Sequence, residues 1–475
     1  VLFSQSPVMT FLGEGFNQYS GAAFLSLPVV MYLVRTLPEQ FRHKLKFAIL
    51  GILGVSAFVF VSALMFGGRV LEFTKALFSG FSSSVSFAAY IGLFSVACFF
   101  YIRKATLKKR YKFFVLITAL LFIAWVVTLS AQNSVRPNLS STLVVGKKVL
   151  ISDGLFGIGA GNFSRAWQLH RPQDVINSQY FGYDFSQGAD TMTTIFVSLG
   201  LVGMLAFVML VLTALYSTII SYLQNKTGQE HIILGLLSIS LLYFVGVSFI
   251  IPLSYAMLVM WMVISGLGLA KARLTEFHPS KKLAYLFIPL AVLLAVNAVV
   301  TINKARGFSL YNQAQTATKL EDAEALVTKA AGIYAFDGFY RVLVEYAISS
   351  NRTLVSVEAQ DQEALKNAYL LKAQSAVDAG LMAVKLNPNN YQNYVSLGRA
   401  YELAIPFDKD AGFSNAKKSY EEAIKLYPQN PYLYLMLARL ETSAGTKEGV
   451  RTQLTEALKK KQNFADALYL MSQLE

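Results

Sequence analysis

The feature that most constrains this chain is a series of eight apolar runs before residue 305, separated by basic loops and one long polar stretch. Most of the runs approach the ~20 residues that a helix needs to cross ~30 Å of hydrocarbon. One such run could be the core helix of a soluble protein, but eight in succession predict a polytopic membrane domain. The predicted spans are about Ser20–Val34, Leu45–Phe66, Val85–Ile102, Phe113–Leu129, Thr191–Tyr216, His231–Ile251, Leu253–Leu269 and Leu283–Ile302.

The basic residues of the membrane domain cluster in three short loops, at 35–47, 103–112 and 271–282. With eight spans these loops fall on one side of the membrane, which the positive-inside rule makes cytoplasmic. The outer side then carries the 67–84 loop, the 130–190 stretch and everything after residue 303. Topology therefore accounts for the net charge of +14, and we predict no nucleic-acid partner. Specific binding of anionic lipid headgroups by these loops is the alternative interpretation.

The chain has two compositional regimes. Charged residues make up 15% of it, against about 25% in a typical soluble domain, and the deficit lies almost entirely before residue 305. We therefore predict a transmembrane domain at 1–303 and a soluble helical domain at 304–475. Residue 1 is Val, so we expect further sequence upstream. The single cysteine, Cys98, offers neither a disulfide nor a metal site, and we expect no metal or other cofactor.

The second domain contains a repeat. Small and large apolar residues recur in the order typical of the 34-residue tetratricopeptide unit. The clearest repeat needs an insertion between its two helices, which Ile405–Phe413 supplies. We predict an α-solenoid of about three to four units that resembles a tetratricopeptide array and binds a protein partner, and we expect its tyrosines to be packing residues. The repeat residues are Tyr394, Leu397, Gly398, Tyr401, Ala416, Tyr420, Ala423 and Pro428, with Ala376, Ala383 and Pro388 before them and Tyr434, Leu437, Leu454 and Ala457 after them.

The stretch Val135–Gly203 is the long polar interruption between the fourth and fifth spans. Ser140–Ile151 has the periodicity of a short amphipathic helix. The following DGLFGIGAGNF contains four glycines, whose backbone N–H groups could cradle a phosphate. The alternative is a tight turn at the membrane surface, because no strand precedes this element as a dinucleotide-binding turn would require.

The remainder of this stretch, SRAWQLHRPQDVINSQYFGYDF, contains Arg165, His170, Arg171, Asp174 and Asp184 among aromatic residues. One interpretation is a solvated interfacial loop that holds Trp167, Tyr180 and Tyr183 at headgroup level. The other is a site for a lipid-linked diphosphate, in which guanidinium groups pair with the anion and His170 or an Asp accepts a proton.

Two motifs joined by this polar stretch suggest a family. The layout of Arg136-Pro, Ser-Ser-Thr, a short helix, LFGIGAGNF, a polar aromatic segment and a final LGLVG resembles the O-antigen ligase and polymerase-like superfamily. The likeness covers about Arg136–Leu205, and the flanking spans agree in hydropathy alone. The repeat tail resembles the bacterial subgroup of these proteins that ends in tetratricopeptide repeats.

The resemblance implies an enzyme of the bacterial cytoplasmic membrane that acts on the outer side. Members transfer a glycan from an undecaprenyl-diphosphate carrier to a lipid, protein or glycan acceptor. They use no nucleotide, and the likeness implies no metal. The spans form a cavity for the polyprenyl chain, and the external loop covers it. Direct displacement at the anomeric carbon would invert its configuration.

The chain departs from the family at one place. Many members have a His-Asn pair ahead of the LG element, and counting back from Gly200 places Ala189 and Asp190 there. The resemblance therefore leaves three alternatives: Asp190 or His170 is the base, the subgroup has a different activity, or this member has lost catalysis. The candidates for the family's arginine are Arg136, Lys147 and Lys148. We expect the lipid diphosphate to be bound by Arg165, Arg171, Lys147, Lys148, Gly157, Gly159, Gly161 and Asn162.

Two other functions fit parts of the sequence. A non-catalytic membrane scaffold would use the repeats to recruit envelope proteins, and the missing His-Asn pair favours it. A small-molecule transporter is disfavoured, because transporters place ionisable groups near the middle of their spans. Here the notable polar residues in spans are Ser238, Ser240 and Asn297.

Overall fold

The computed structural model describes residues 20–42, 44–45, 135–224, 228–269, 281–355 and 362–474. Within these ranges the regular elements are helices and no strand occurs, which confirms the predicted all-α class for this part of the chain. The predicted spans Val85–Ile102 and Phe113–Leu129 lie outside the described residues, as do all of Leu45–Phe66 except Leu45, and Cys98.

The chain divides into two compact units. The first includes Asn17–Phe163 and Phe185–Ala291, and the second includes Ser164–Asp184 and Val292–Glu475. The polar stretch after the fourth predicted span is thus divided, because its segment Ser164–Asp184 belongs to the unit that contains the repeats.

The first unit contains most of the apolar helices. The helix predictions for the spans near residues 20, 191, 231 and 253 are confirmed, and the helix Thr191–Gln224 (α5) extends beyond its predicted end at Tyr216. In the described part of the chain, α5 is the one helix long and apolar enough to cross a membrane, while α1 and α7 are apolar but shorter. The helices are α1 (Gly21–Thr36), α2 (Leu139–Ser152), α3 (Phe163–His170, which continues into the second unit), α4 (Gln173–Asn177, in the second unit), α5 (Thr191–Gln224), α6 (Gly228–Ser248) and α7 (Tyr255–Leu269).

The core of the first unit is built by α1, α5, α6 and α7. The Trp261 ring is fully buried, stacks on Phe244 at 6.2 Å and meets Phe207 edge-on at 5.7 Å. Helices α1 and α7 approach closely at Gly266, where a Cβ atom would lie 2.6 Å from the Met31 carbonyl oxygen. A small residue at this crossing is typical of helix packing in membranes.

The larger part of the second unit begins within α8 (Lys281–Gln315) and continues as a series of helices. This helix includes all of the predicted span Leu283–Ile302 and extends past it to Gln315. The helices are α8 (Lys281–Gln315), α9 (Leu320–Ile333), α10 (Asp337–Val355), α11 (Gln362–Leu386), α12 (Tyr391–Glu402), α13 (Lys409–Leu426), α14 (Pro431–Ala444), α15 (Lys447–Lys460) and α16 (Ala465–Ser472).

These helices pack in sequential pairs: α10 on α11, α12 on α13 and α14 on α15, with each pair contacting the next. Small residues permit the close approach. A Cβ atom on Gly398 would lie 2.6 Å from the Tyr420 ring, and Tyr420 is fully buried, so this tyrosine packs as predicted. Helices α11 and α13 both end two residues before a proline, at Pro388 and Pro428, because proline cannot continue the helix.

Candidate functional site

The structure divides the predicted site residues between the two units. Arg165, His170 and Arg171 belong to the second unit. The first unit contains the other eight, which are Arg136, Lys147, Lys148, Gly157, Gly159, Gly161, Asn162 and Asp190.

The Gly-rich element packs directly against a break in α5. At Gly200 the helix is interrupted by a positive φ of 68°, and Gly157 has the same φ. A Cβ atom on Gly200 would lie 2.2 Å from the Leu155 carbonyl oxygen and 2.4 Å from the Gly157 nitrogen. Only glycine fits this contact, because any side chain would overlap backbone atoms.

Hydrogen bonds complete the junction between the two motifs. The break in α5 frees carbonyl groups that a continuous helix would use internally. The Ile158 N–H donates to the Val197 carbonyl (3.3 Å), and the Gly159 N–H donates to the Ser198 carbonyl (2.8 Å). These amides are therefore engaged within the protein and do not form the phosphate cradle that we considered. The Asn162 side chain donates to the Ile158 carbonyl at 3.2 Å and stabilises the turn.

Asp190 caps the N-terminus of α5. Its Oδ1 accepts from the Thr193 N–H at 2.8 Å, and its own N–H donates to the Thr193 Oγ1 at 3.4 Å. The side chain satisfies a helix N–H that has no partner within the helix, as Asp commonly does. Asp190 is only 5% exposed. Among the described residues its second carboxylate oxygen accepts no hydrogen bond.

The turn before α5 is held from two sides. The Ala189 N–H donates to the Thr142 Oγ1 of α2 at 3.1 Å, and a Cβ atom on Gly188 would lie 2.7 Å from the Thr142 methyl group. On the other side, the Thr191 Oγ1 donates to the Ile251 carbonyl at 3.0 Å. These contacts fix the position of Asp190 relative to α2 and to the end of α6.

Arg136 lies beside this turn. Its Nη1 donates to the Ile250 carbonyl at 2.8 Å and to the Ala189 carbonyl at 3.3 Å. In the described part of the chain the other guanidinium nitrogens make no hydrogen bond. The structure thus brings Arg136 and Asp190 together, with one cationic and one anionic group at the start of α5.

Lys147 and Lys148 are exposed on α2, the helix that also carries Thr142. The opposite face of α2 packs on α5, and a Cβ atom on Gly146 would lie 2.6 Å from the Phe196 ring. The two ammonium groups therefore project away from the helix packing and are available to an anion.

Arg171 is committed to contacts within the second unit and is only 3% exposed. Its Nη2 donates to the Tyr183 carbonyl at 2.8 Å and to the Asp184 Oδ1 at 2.5 Å, and its Nη1 donates to the Phe181 carbonyl. In this arrangement Arg171 is a structural cation and is not available to the diphosphate that we expected it to bind.

The Arg171 guanidinium also lies near two aromatic rings, 5.6 Å from the Trp167 ring and 5.0 Å from the Tyr427 ring. Trp167 is fully buried, so the interpretation that placed it at headgroup level is wrong. Arg165 and His170 are half-buried and make contacts of their own.

The segment Ser164–Asp184 packs along one edge of the paired helices. Its contacts lie at three junctions, each between the second helix of a pair and the helix that follows it. At the first junction the Tyr391 hydroxyl donates to the Asp184 Oδ2 at 2.9 Å. At the second junction Tyr432 stacks on Phe181 at 5.2 Å. At the third, the Lys461 Nζ donates to the Ile176 carbonyl at 2.9 Å and lies 4.4 Å from the Phe181 ring.

Burial is the main cause of the pKa shifts of Tyr391 and Lys461 at this edge. It raises the pKa of Tyr391, and the neighbouring Asp184 carboxylate raises it further. Burial also lowers the pKa of Lys461, although the Ser178 carbonyl accepts from its Nζ at 3.2 Å. We considered an Asp of this segment as a base, but we did not predict that Asp184 would contact Arg171 and Tyr391, or that Lys461 would bind the segment, because Tyr391 and Lys461 are far from it along the chain. The one available signal was the cluster of aromatic residues beside Arg171.

Among the described residues, no group of three or more His, Cys, Asp or Glu side chains could hold a metal ion. The chain matches no known family model, and it matches no curated protein.

Proposed function

We propose that this chain is a membrane glycan transferase of the O-antigen ligase type. It would transfer a glycan from an undecaprenyl-diphosphate carrier to an acceptor on the outer side of the bacterial cytoplasmic membrane. The proposal includes a bundle of about eight spans and an external tetratricopeptide array. The apolar helix α5 supports the membrane domain, and the sequential pairing of α10–α15 supports the array.

The observation that carries the proposal is the junction between the two motif elements. LFGIGAGNF and LGLVG were selected on resemblance alone, yet Gly157 and Gly200 lie in direct backbone contact. The same unit holds Arg136 and Asp190 at the N-terminus of α5. The two motifs are distant in the sequence, yet they pack together in the same unit as the buried Asp190 carboxylate. We expect this arrangement of a functional site.

The reaction would be a single displacement. The acceptor hydroxyl attacks the anomeric carbon, a new C–O bond forms, and the bond from that carbon to the carrier's phosphate oxygen breaks. The hydroxyl proton passes to a base, for which Asp190 is the candidate in the first unit and His170 in the second. The departing diphosphate carries the negative charge, which Lys147, Lys148 and Arg136 would stabilise.

Asp190 permits a sharp test because its two roles separate. Asp190→Asn keeps a good N-cap but removes the basic carboxylate, whereas Asp190→Ala removes both. If Asp190 is the base, both variants lose transfer by about 10²-fold or more, while Asp190→Asn folds as well as the unmodified chain. The measurement is glycan transfer by the full chain in proteoliposomes supplied with an undecaprenyl-diphosphate-linked glycan. Full activity of Asp190→Asn would refute this role.

The scaffold remains the second candidate function, and one observation favours it. Arg136 and Asp190 both have structural partners, at Ile250 and Thr193, so neither needs catalysis to account for it. Mass spectrometry of the purified chain separates the two functions. Co-purified polyprenyl diphosphate that is lost in a Lys147→Glu/Lys148→Glu variant supports the transferase, and its absence from the unmodified chain supports the scaffold.

A further inference from the structure

Helix α2 has a second face, which exposes large apolar side chains. Its buried face carries Ser141, Thr142, Val145, Gly146 and Val149. The opposite face exposes Leu139, Leu143, Val144 and Ile151, and Ile151 is 76% exposed. Water is a poor environment for so many large aliphatic side chains in one patch.

This apolar face continues onto α5. The turn after α2 exposes Leu155 and Phe156, and the Leu155 carbonyl lies against Gly200 of α5. Beyond Gly200 most exposed side chains of α5 are also apolar, and they include Leu205 and Met209. Exposed apolar side chains therefore occur at the end of α2, on the turn that contacts Gly200, and on α5 beyond Gly200.

Lys147 and Lys148 lie within the exposed arc of α2. Two charges among aliphatic side chains are unfavourable at a dry contact between helices. They suit a membrane interface, where lysine stems lie along the hydrocarbon and the ammonium groups reach the phosphates.

We propose that α2 lies in the outer membrane–water interface. Ile151, Leu155 and Phe156 insert among the acyl chains, and Lys147 and Lys148 bind anionic lipid headgroups. The inference rests on the membrane span of the proposed function and deepens it. The carrier's diphosphate lies at the depth of the phospholipid phosphates, so an interfacial α2 presents both lysines at the level of that leaving group.

The test measures the depth of single fluorescent labels in lipid vesicles. Single cysteines replace Ile151 or Leu155 in a Cys98→Ser chain, and each is labelled with an environment-sensitive dye. The full chain is reconstituted in phosphatidylcholine vesicles with or without phosphatidylglycerol, and brominated acyl chains serve as quencher. Met209→Cys is the control within the span. Leu371→Cys, which is 71% exposed in the second unit, is the control in water.

We expect the labels at 151 and 155 to be quenched like the label at 209, while the label at 371 is not quenched. Quenching at 209 with water-like emission at 151 overturns the inference alone. Quenching at 209 with a shielded but unquenched label at 151 also overturns it, because protein then covers the face. No quenching at 209 removes the membrane span itself, and with it the proposed function.

The lysines are tested in the same vesicles. In phosphatidylglycerol vesicles, Lys147→Glu/Lys148→Glu should reduce quenching at 151 towards the value of the Leu371→Cys control. The label at 209 reports that the variant is still inserted and folded. Unchanged quenching at 151 in the double variant overturns the role of the lysines.

Discussion

At the scale of single residues, the contact between Gly157 and Gly200 joins the two motif elements of the first unit. Both have a φ of 68°, which costs an L-residue about 1–2 kcal/mol. A Cβ atom on Gly200 would also overlap the Leu155 carbonyl at 2.2 Å. Gly200→Ala should therefore lower the free energy of unfolding by more than about 2 kcal/mol, and thermal unfolding of the full chain in detergent measures it.

The matched control for this substitution is Gly246→Ala. Gly246 lies in apolar helix α6, and beyond its own helical turn no atom of the described residues lies within 4 Å of a Cβ atom built on it. Alanine there should change stability by about 1 kcal/mol or less. Equal thermal stability of the two variants would show that the junction at Gly200 does not stabilise the first unit.

Glu402 provides a pH-dependent prediction in the second unit. Burial raises the pKa of this carboxyl above 4.5, although the Tyr420 hydroxyl donates to its Oε1 at 2.6 Å. Between pH 4.5 and the raised pKa the folded state binds more protons than the unfolded state, so stability falls as the pH rises through this window. Glu402→Gln keeps an acceptor for Tyr420 and removes the buried charge.

We therefore expect Glu402→Gln to unfold at a higher temperature than the unmodified chain at neutral pH. The difference should shrink as the pH falls below 4.5, where both side chains are neutral. Thermal unfolding of the full chain across this pH range is the measurement. A lower stability of Glu402→Gln at neutral pH would mean that attraction to Arg399 and Arg439 outweighs the cost of burial.

Single residues also show where sequence reasoning stops. Arg171 was predicted to bind an anion because its charge was evident from the sequence. Its partner Asp184 and the Tyr427 ring became evident only in the structure. Arg171 binds the Asp184 carboxylate instead of a phosphate because Arg171 is buried. The local sequence does not encode that burial.

At the scale of elements, contacts with the paired helices hold the segment Ser164–Asp184 in position. Lys461 is 6% exposed and donates to the Ile176 and Ser178 carbonyls. Lys461→Met removes both bonds from a charged donor, which costs about 2 kcal/mol. Hydrogen exchange in peptides covering 172–184 should accelerate roughly thirtyfold.

Lys459→Met is the matched control for this prediction. Lys459 is exposed and pairs with Glu456 one helical turn away, and such surface pairs contribute about 0.5 kcal/mol or less. Exchange in 172–184 should therefore stay at the level of the unmodified chain. The same acceleration in both variants would show that Lys461 does not hold the segment.

The elements also divide into those that periodicity predicts and those that it does not. Helix α2 and the pairs α12–α13 and α14–α15 follow from apolar spacing. The predicted loop Ile405–Phe413 is confirmed only for Ile405–Asp408, because Lys409–Phe413 form the beginning of α13. The short helices α3 and α4 were missed because eight and five residues are too few for apolar periodicity to indicate a helix. The break in α5 was missed because a positive φ at one glycine leaves no mark on hydropathy.

At the scale of the whole molecule, one chain forms two compact units, and we propose that they face different solvents. In the proposed architecture, the first unit meets lipid and the second meets water on the outer side. The polar stretch supplies residues to both units, so it is one covalent connection through which a partner of the proposed repeat array could influence the proposed site. That influence requires Ser164–Asp184 and the repeats to lie on the same side of the membrane.

Topology mapping tests this requirement directly. Lys and Arg in short loops set orientation, so loops 35–47, 103–112 and 271–282 should be cytoplasmic, while 67–84, Asp184 and Lys319 should be outside. Alkaline phosphatase, which is active only after export, should be active when fused at the second group of positions and inactive at the first. Activity within 271–282 would show that one span has been miscounted. The repeats would then lie in the cytoplasm, where they could not meet an acceptor on the outer side.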